Sequence, residues 1–174
     1  MKKVYIFSGF SGISYKMRKL TLDDIKVLAA LRTDSRSSLN KLAKEMGLPH
    51  STVHDWLKSY EKGIIHKHAA LIDFSKLGFD CRATIAIKLS KHQTDELRSF
   101  VLSKEEVNNA YEINSGYDVL IECIFRSKKE LKLFIEELEE KFAIQERHVF
   151  EMYNDLKRET FMTHHTHVNY NDLI

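Results

Sequence analysis

Apolar positions along this 174-residue chain recur with two different periods, and the change from one to the other divides it. Between Thr21 and Gly63 the period is helical. Ile25, Leu28, Ala29 and Leu31 share one face of a helix beginning at Thr21, where Thr21 and Asp24 approximate a capping box and Asp23 and Asp24 meet the positive end of the helix dipole. Leu39, Leu42, Ala43 and Met46 make the stripe of a second helix. Ser38 caps it and Gly47 ends it, since a residue without Cβ enters the left-handed conformation at no steric cost. Pro49 bars continuation, because it lacks an amide hydrogen and fixes φ. A third helix is predicted from about His50 to Lys62, with Val53, Trp56, Leu57 and Tyr60 inward and Gly63 as its stop.

Beyond residue 80 the pattern alternates. Arg82–Leu89 reads as a strand with Ala83, Ile85, Ile87 and Leu89 on one face. Thr94–Lys104 is a short helix capped by Thr94, and Val107–Ile113 a strand. Asn114–Tyr117 is a turn and Asp118–Arg126 a further strand. Ser127–Phe142 is a helix opened by the capping-box pair Ser127 and Glu130, and Gln145–Met152 is the last strand. The order β-α-β-β-α-β predicts a ferredoxin-like unit whose helices both cover one side of its sheet. Thr84, Ala86, Lys88, Ala110, Glu112, Leu120, Glu122 and Ile124 are predicted on the uncovered side. That mixture is apolar enough to seek a second sheet, and a homodimer is the simplest way to supply one. Between the two patterns, Ile64–Ile72 is β-rich and suggests a wing, and residues 73–80 read as a linker. The fold class is therefore α+β, with a winged helix-turn-helix at 21–72 and a ferredoxin-like domain at 81–160. Residues 1–20 form an arm, mobile or added as an edge strand, and residues 161–174 a tail.

Residues 38–63 have the layout of a helix-turn-helix, in which the second helix presents N-terminal polar side chains to the major groove. His50, Ser51, Thr52, His54, Asp55 and Lys58 occupy that polar face, and Lys67, with His66 and His68, would lie near the phosphate backbone in the wing. An ordinary helical hairpin in a core fits the same pattern. Charge favours nucleic acid: residues 1–79 hold 14 Lys and Arg against 7 Asp and Glu, whereas residues 80–174 hold 13 against 18. No apolar run approaches the ~20 residues that span a bilayer, and MKKVYIF lacks a signal-peptide core, so a cytoplasmic protein without a membrane partner is expected. Cys81 and Cys123 are too few for a disulfide framework or a zinc site and read as buried thiols. His164, His165 and His167 in HHTH carry imidazoles suited to zinc, nickel or copper, but a loose polar terminus explains them as well. No nucleophile–base pair or paired carboxylates stand out, so no catalysis, cofactor or metal is expected.

The stretches LTLDDIKVLAAL, LAKEMGL, STVHDWLKSYEKGII, ALIDFSKLGF and GYDVLIECIFRSKKELKLFIEEL, in this order, resemble the leucine-responsive regulatory protein (Lrp/AsnC) family of transcriptional regulators over about residues 20–160. The resemblance implies binding to double-stranded DNA, dimers and often octamers formed through the C-terminal domain, and amino-acid sensing there. It implies a ligand-binding loop at Asn114, Ser115, Gly116, Tyr117 and Asp118; amides of such a turn would suit a carboxylate and Asp118 an ammonium, while a hairpin whose Asn and Gly only satisfy turn geometry fits the same residues. The chain departs from the family's pattern at Asp55 and Trp56, where an Arg pair is usual, and at Gly116, one place later than usual. Tetrapyrrole decarboxylases with this domain order also look like the family, and His148 would be the candidate residue there. An architectural DNA-binding protein without an effector is a further alternative.

Overall fold

The computed structural model describes residues 20–90, 93–114, 116–164 and 166, and before them the backbone of two short strands. Strand β1 (Tyr5–Ser8) pairs antiparallel with β2 (Ser14–Met17), Tyr5 opposite Met17. Of the sites read from sequence, Ser115, His165 and His167 lie outside the described residues. The chain divides into two units: residues up to Leu71 together with those from Lys157 onward, and residues Ile72–Leu156.

The first unit is built on α1 (Leu22–Thr33), α2 (Leu39–Met46) and α3 (His50–Glu61). Thr21 closes the predicted capping box: its amide and hydroxyl both donate to Asp24 Oδ2 at 2.6 Å, and the Asp24 amide donates back to Thr21 Oγ1. Ser38 caps α2 by accepting from the Lys41 amide, and Gly47 ends it at φ 65°. Ile25, Val27, Leu28, Leu31, Leu42, Ala43, Val53 and Tyr60 form the core, with Trp56 and Leu57 partly buried against it.

The wing is not formed as a strand. After α3 the amides of Gly63, Ile64 and Ile65 all donate to the Tyr60 carbonyl, which turns Ile64 and Ile65 in against the helical core. Residues 66–72 are exposed and unpaired in any described sheet. A β-rich composition makes a strand only where a neighbouring strand offers its amides and carbonyls. The C-terminal segment instead returns to α1. Arg32 Nη2 donates to the Glu159 carboxylate at 2.9 Å and to its carbonyl at 3.2 Å, and Met162 packs against the core.

The second unit opens with one 3₁₀ turn (Phe74–Leu77), ended by Gly78 at φ 80°. It continues through β3 (Cys81–Leu89), α4 (Thr94–Ser103), β4 (Val107–Glu112), β5 (Val119–Phe125), α5 (Lys128–Lys141) and β6 (Ile144–Glu151). The sheet order is β4-β5-β3-β6 with every pair antiparallel, which is the ferredoxin-like arrangement. Ala83, Ile85, Ile87, Ile121 and Cys123 are fully buried beneath Leu97, Val101, Leu131, Phe134 and Leu138 of the two helices. Each Ile, Leu, Val or Phe side chain among them contributes about 1.5–3 kcal/mol by leaving water. Both thiols are free and buried, and burial pushes that of Cys123 up to about 12.

Two further expectations need correction. Thr94 is the first residue of α4 rather than its cap. Gln93 precedes it with no capping bond from its side chain, whose Oε1 accepts instead from the Ala143 amide at 2.9 Å. In β4 the register shifts between Val107, opposite Cys123, and Asn109, opposite Glu122. The extra residue of this bulge inverts the parity of the strand. Asn109 and Tyr111 therefore take the uncovered face, while Ala110 and Glu112, predicted there, fall on the helical side. Arg98 of α4 pairs with the Glu112 carboxylate on that side.

Candidate nucleic-acid interface and effector loop

The inner face of α3 is held by Val53 and Tyr60, both essentially inaccessible, which turns its other face outward. His50, Ser51, Asp55 and Lys58 are exposed and Thr52 and His54 half-buried, so the structure brings six of the seven predicted DNA-contacting residues together on one short helix. Lys67, the seventh, is exposed in the irregular segment that follows. Pro49 precedes α3 and no side chain caps it. The Thr52 and Val53 amides both donate to the Pro49 carbonyl, at 3.1 and 3.3 Å, and the positive end of the helix dipole lies at this exposed terminus. The His50 and His54 rings lie near-parallel with centroids 6.4 Å apart, and His54 Nδ1 stands 3.5 Å from the Asp55 carboxylate. Trp56 belongs to the inner face. The departure at these two positions is thus one outward acid and one core-packed indole.

The turn at 114–118 joins β4 to β5. Asn114 and Gly116 are exposed, and Gly116 takes φ 89°, a conformation that strains residues bearing a Cβ. Asp118 is already engaged. Its Oδ2 accepts from the Leu89 amide at 2.7 Å, and its own amide donates to the Ile87 carbonyl at 2.9 Å. Tyr117 donates to Glu146 Oε1 at 2.8 Å and meets the His148 ring edge-on at 5.6 Å. His148 Nε2 lies 3.0 Å from the same carboxylate oxygen. Hydrogen bonds from Tyr117 first and His148 second hold the Glu146 carboxyl below its ordinary range, and the same bond to Glu146 raises the Tyr117 phenol.

The uncovered sheet face carries its own ion pairs. Arg82 Nε donates to Glu122 Oε1 at 2.7 Å, Arg82 Nη1 reaches both oxygens of Asp155, and Asn109 donates to Glu122 Oε2. Glu122 is thus compensated within the chain. Apolar groups surround the pair, with Ala86 and Ile124 buried and Tyr111 and Phe150 exposed. Glu146 and Phe150 were not read from the sequence. Their signal was available, because the βαββαβ order sets the last strand beside the first, and alternation then places residues 146, 148 and 150 on the uncovered side. Among the described residues no three His, Cys, Asp or Glu side chains group as a metal site, and no helix is long and apolar enough to cross a membrane.

A trihelical unit with an outward polar helix, joined to a ferredoxin-like sheet unit, defines a DNA-binding transcriptional regulator of the helix-turn-helix type. The chain belongs to the Lrp/AsnC family of such regulators. It is 30% identical over 118 residues to the HTH-type transcriptional regulator FL11 of Pyrococcus furiosus, covering 66% of this chain and 78% of the relative. To the FL11 regulator of Pyrococcus abyssi it is 29% identical over 121 residues, 68% of this chain and 80% of the relative. No family model matches the chain. Its fold is similar to that of Escherichia coli AsnC, with a TM-score of 0.73 at 23% identity over 82% of this chain and 98% of that one. It is also similar to the Neisseria meningitidis regulator NMB0573 in complex with L-Met, with a TM-score of 0.74 at 21% identity over 89% and 99%.

Proposed function

We propose that the protein reads a specific double-stranded DNA sequence through His50, Ser51, Thr52, His54, Asp55 and Lys58, aided by Lys67, and that a free amino acid at the 114–118 turn tunes this binding. The observation that carries the reading is the presentation of α3: its apolar side is locked into the core while short hydrogen-bonding groups line its outer N-terminal turns. Such groups read base edges and phosphates. The L-Met complex of the Neisseria regulator supports an amino-acid effector. The uncovered sheet face, with its buried Ile124 and exposed Tyr111 and Phe150, supports a homodimer, and family likeness extends this to octamers. In this reading residues 21–72 engage DNA, residues 81–156 sense and assemble (the sheet unit ends at Leu156, short of the 160 read from sequence), the protein works in the cytoplasm, and it performs no catalysis. His148, exposed and beside Glu146, serves the sheet face. Binding to the DNA upstream of its own gene, measured with and without each of the twenty amino acids, tests both halves. Absence of any sequence preference would refute the first, and an isotherm unchanged by every amino acid the second.

One observation favours an effector-independent DNA-binding protein. The Asp118 carboxylate, which would meet an ammonium, already accepts the Leu89 amide.

A further inference from the structure

Residues 157–163 are not a tail. Arg32, in the last turn of α1, donates to the Glu159 carbonyl, the Glu159 carboxylate and the Phe161 carbonyl at 3.2, 2.9 and 3.3 Å. The next residue, Thr33, donates to the Thr163 carbonyl at 3.1 Å, and Met162 packs against the core of the helical unit. Glu159 and Met162, at φ 50° and 59°, are the non-glycine residues with positive φ among the described residues. Left-handed backbone is unfavourable for side chains of this size, and it persists where surrounding contacts impose it. Contact and strain thus converge on one short segment. The helical unit has reason to use it, since eight core residues on three short helices make a small core.

We infer that residues 157–163 are a latch that completes the DNA-binding unit, and that Arg32 is the positioning residue that holds it. The chain leaves this unit after Leu71, traverses the whole sheet unit, and returns to close the helical core. The latch keeps α1 in place, and through the shared core it keeps α3 in the geometry that engages DNA. This rests on the DNA-binding role of α3 proposed above.

The test compares Arg32→Ala, Arg32→Lys and Met162→Ala in the full chain. Hydrogen exchange followed by mass spectrometry, without DNA, reads the latch directly. In Arg32→Ala, exchange in residues 157–163 and α1 rises at least tenfold, β3–β6 are unchanged, and Arg32→Lys falls between. Unchanged exchange in the latch and α1 overturns the latch whatever α3 does. Affinity for a specific DNA site then falls at least threefold in both Arg32→Ala and Met162→Ala, with an unchanged dependence on salt. A salt slope lowered by about 1 in Arg32→Ala, with Met162→Ala unaffected, would show Arg32 to be a phosphate contact instead and overturn its positioning role. Raised exchange with unchanged affinity would separate the latch from DNA binding and overturn the coupling. If even the parent chain bound no DNA, the proposed function would fail while the exchange result still decided the latch.

Discussion

The hydroxyl of Tyr60, near the end of α3, donates to Oδ1 of the buried Asp24 carboxylate, in the first turn of α1, at 2.5 Å. The other oxygen of that carboxylate receives the Thr21 amide and hydroxyl. One side chain therefore caps α1 and anchors α3. A buried carboxylate is tolerated when its lone pairs are met by donors, as the Thr21 amide, the Thr21 hydroxyl and the Tyr60 hydroxyl meet this one.

Tyr60→Phe keeps the ring and removes one donor. The helical unit should lose about 1–3 kcal/mol, the cost of leaving a buried charged acceptor short of a partner. Trp56 is the sole tryptophan and packs on this core, so urea unfolding followed by its fluorescence reports the unit. An unshifted midpoint would show that the hydrogen bond does not contribute.

Joint replacement of Ser51, Thr52, His54 and Lys58 by alanine should abolish sequence preference and leave the fold intact, since none of the four is buried. The loss of Lys58 alone should lower the salt slope of binding by about 1, as one phosphate contact would. Asp55→Ala should act oppositely and raise affinity for non-specific DNA by removing an outward acid. Fluorescence anisotropy on specific and scrambled duplexes measures all three.

Asp118→Asn retains an acceptor for the Leu89 amide and removes the charge, whereas Asp118→Ala removes both. If Asp118 holds an ammonium, both variants should lose the amino-acid effect on DNA binding, and only Asp118→Ala should also lose about 1–2 kcal/mol of stability. Calorimetry against the twenty amino acids tests the premise. Dissociation constants all weaker than about 1 mM, roughly −4 kcal/mol, would leave the turn as a plain connection.

Phe150→Glu places a charge among apolar groups of the uncovered sheet face, where Phe150 is exposed. A homodimer through that face should dissociate, because the new carboxylate would be buried without a partner. Light scattering of the full chain at micromolar concentration should then give a monomer for the variant and at least a dimer for the parent. Equal masses would exclude this face as the interface.

Lys104 and Lys141 both donate to the Glu137 carboxylate, at 2.6–2.8 Å, and hold its pKa below the ordinary 4.5. A depressed carboxylate pKa contributes stability above the unfolded value, and that contribution is lost as pH falls through the folded one. Glu137→Gln should therefore lower Tm modestly at neutral pH, and the difference from the parent should shrink below about pH 4.5. A difference independent of pH would assign the effect to packing.

Local chemistry was legible in the sequence wherever both partners of an interaction lie within a few residues. Thr21 with Asp24, Ser38 with the Lys41 amide, and Gly47 are such cases, and the structure forms each as read. At Ser127 the cap forms, but Glu130 reaches back to the Arg126 amide, one residue before the cap. The alternation of β3 and β5, and the order of the elements that makes the sheet ferredoxin-like, were equally legible, because apolar period follows backbone period. What depended on neighbours distant in sequence was not. VNNAYE has too few apolar residues to reveal the bulge at Asn108, and only pairing with β5 shows that Asn109 and Tyr111 reverse sides with Ala110 and Glu112. Residues 64–72 have strand composition but no strand beside them, so they remain irregular. Tyr60 reads as apolar by period, and Asp24, 36 residues away, reads as a cap; only the packing of α1 against α3 joins them. Arg32 and Glu159 are 127 residues apart, and nothing in either local stretch marks the pair. Short-range hydrogen bonds and period are written into the chain itself, whereas register, edge pairing and buried polar contacts exist only once separate segments are brought into one core.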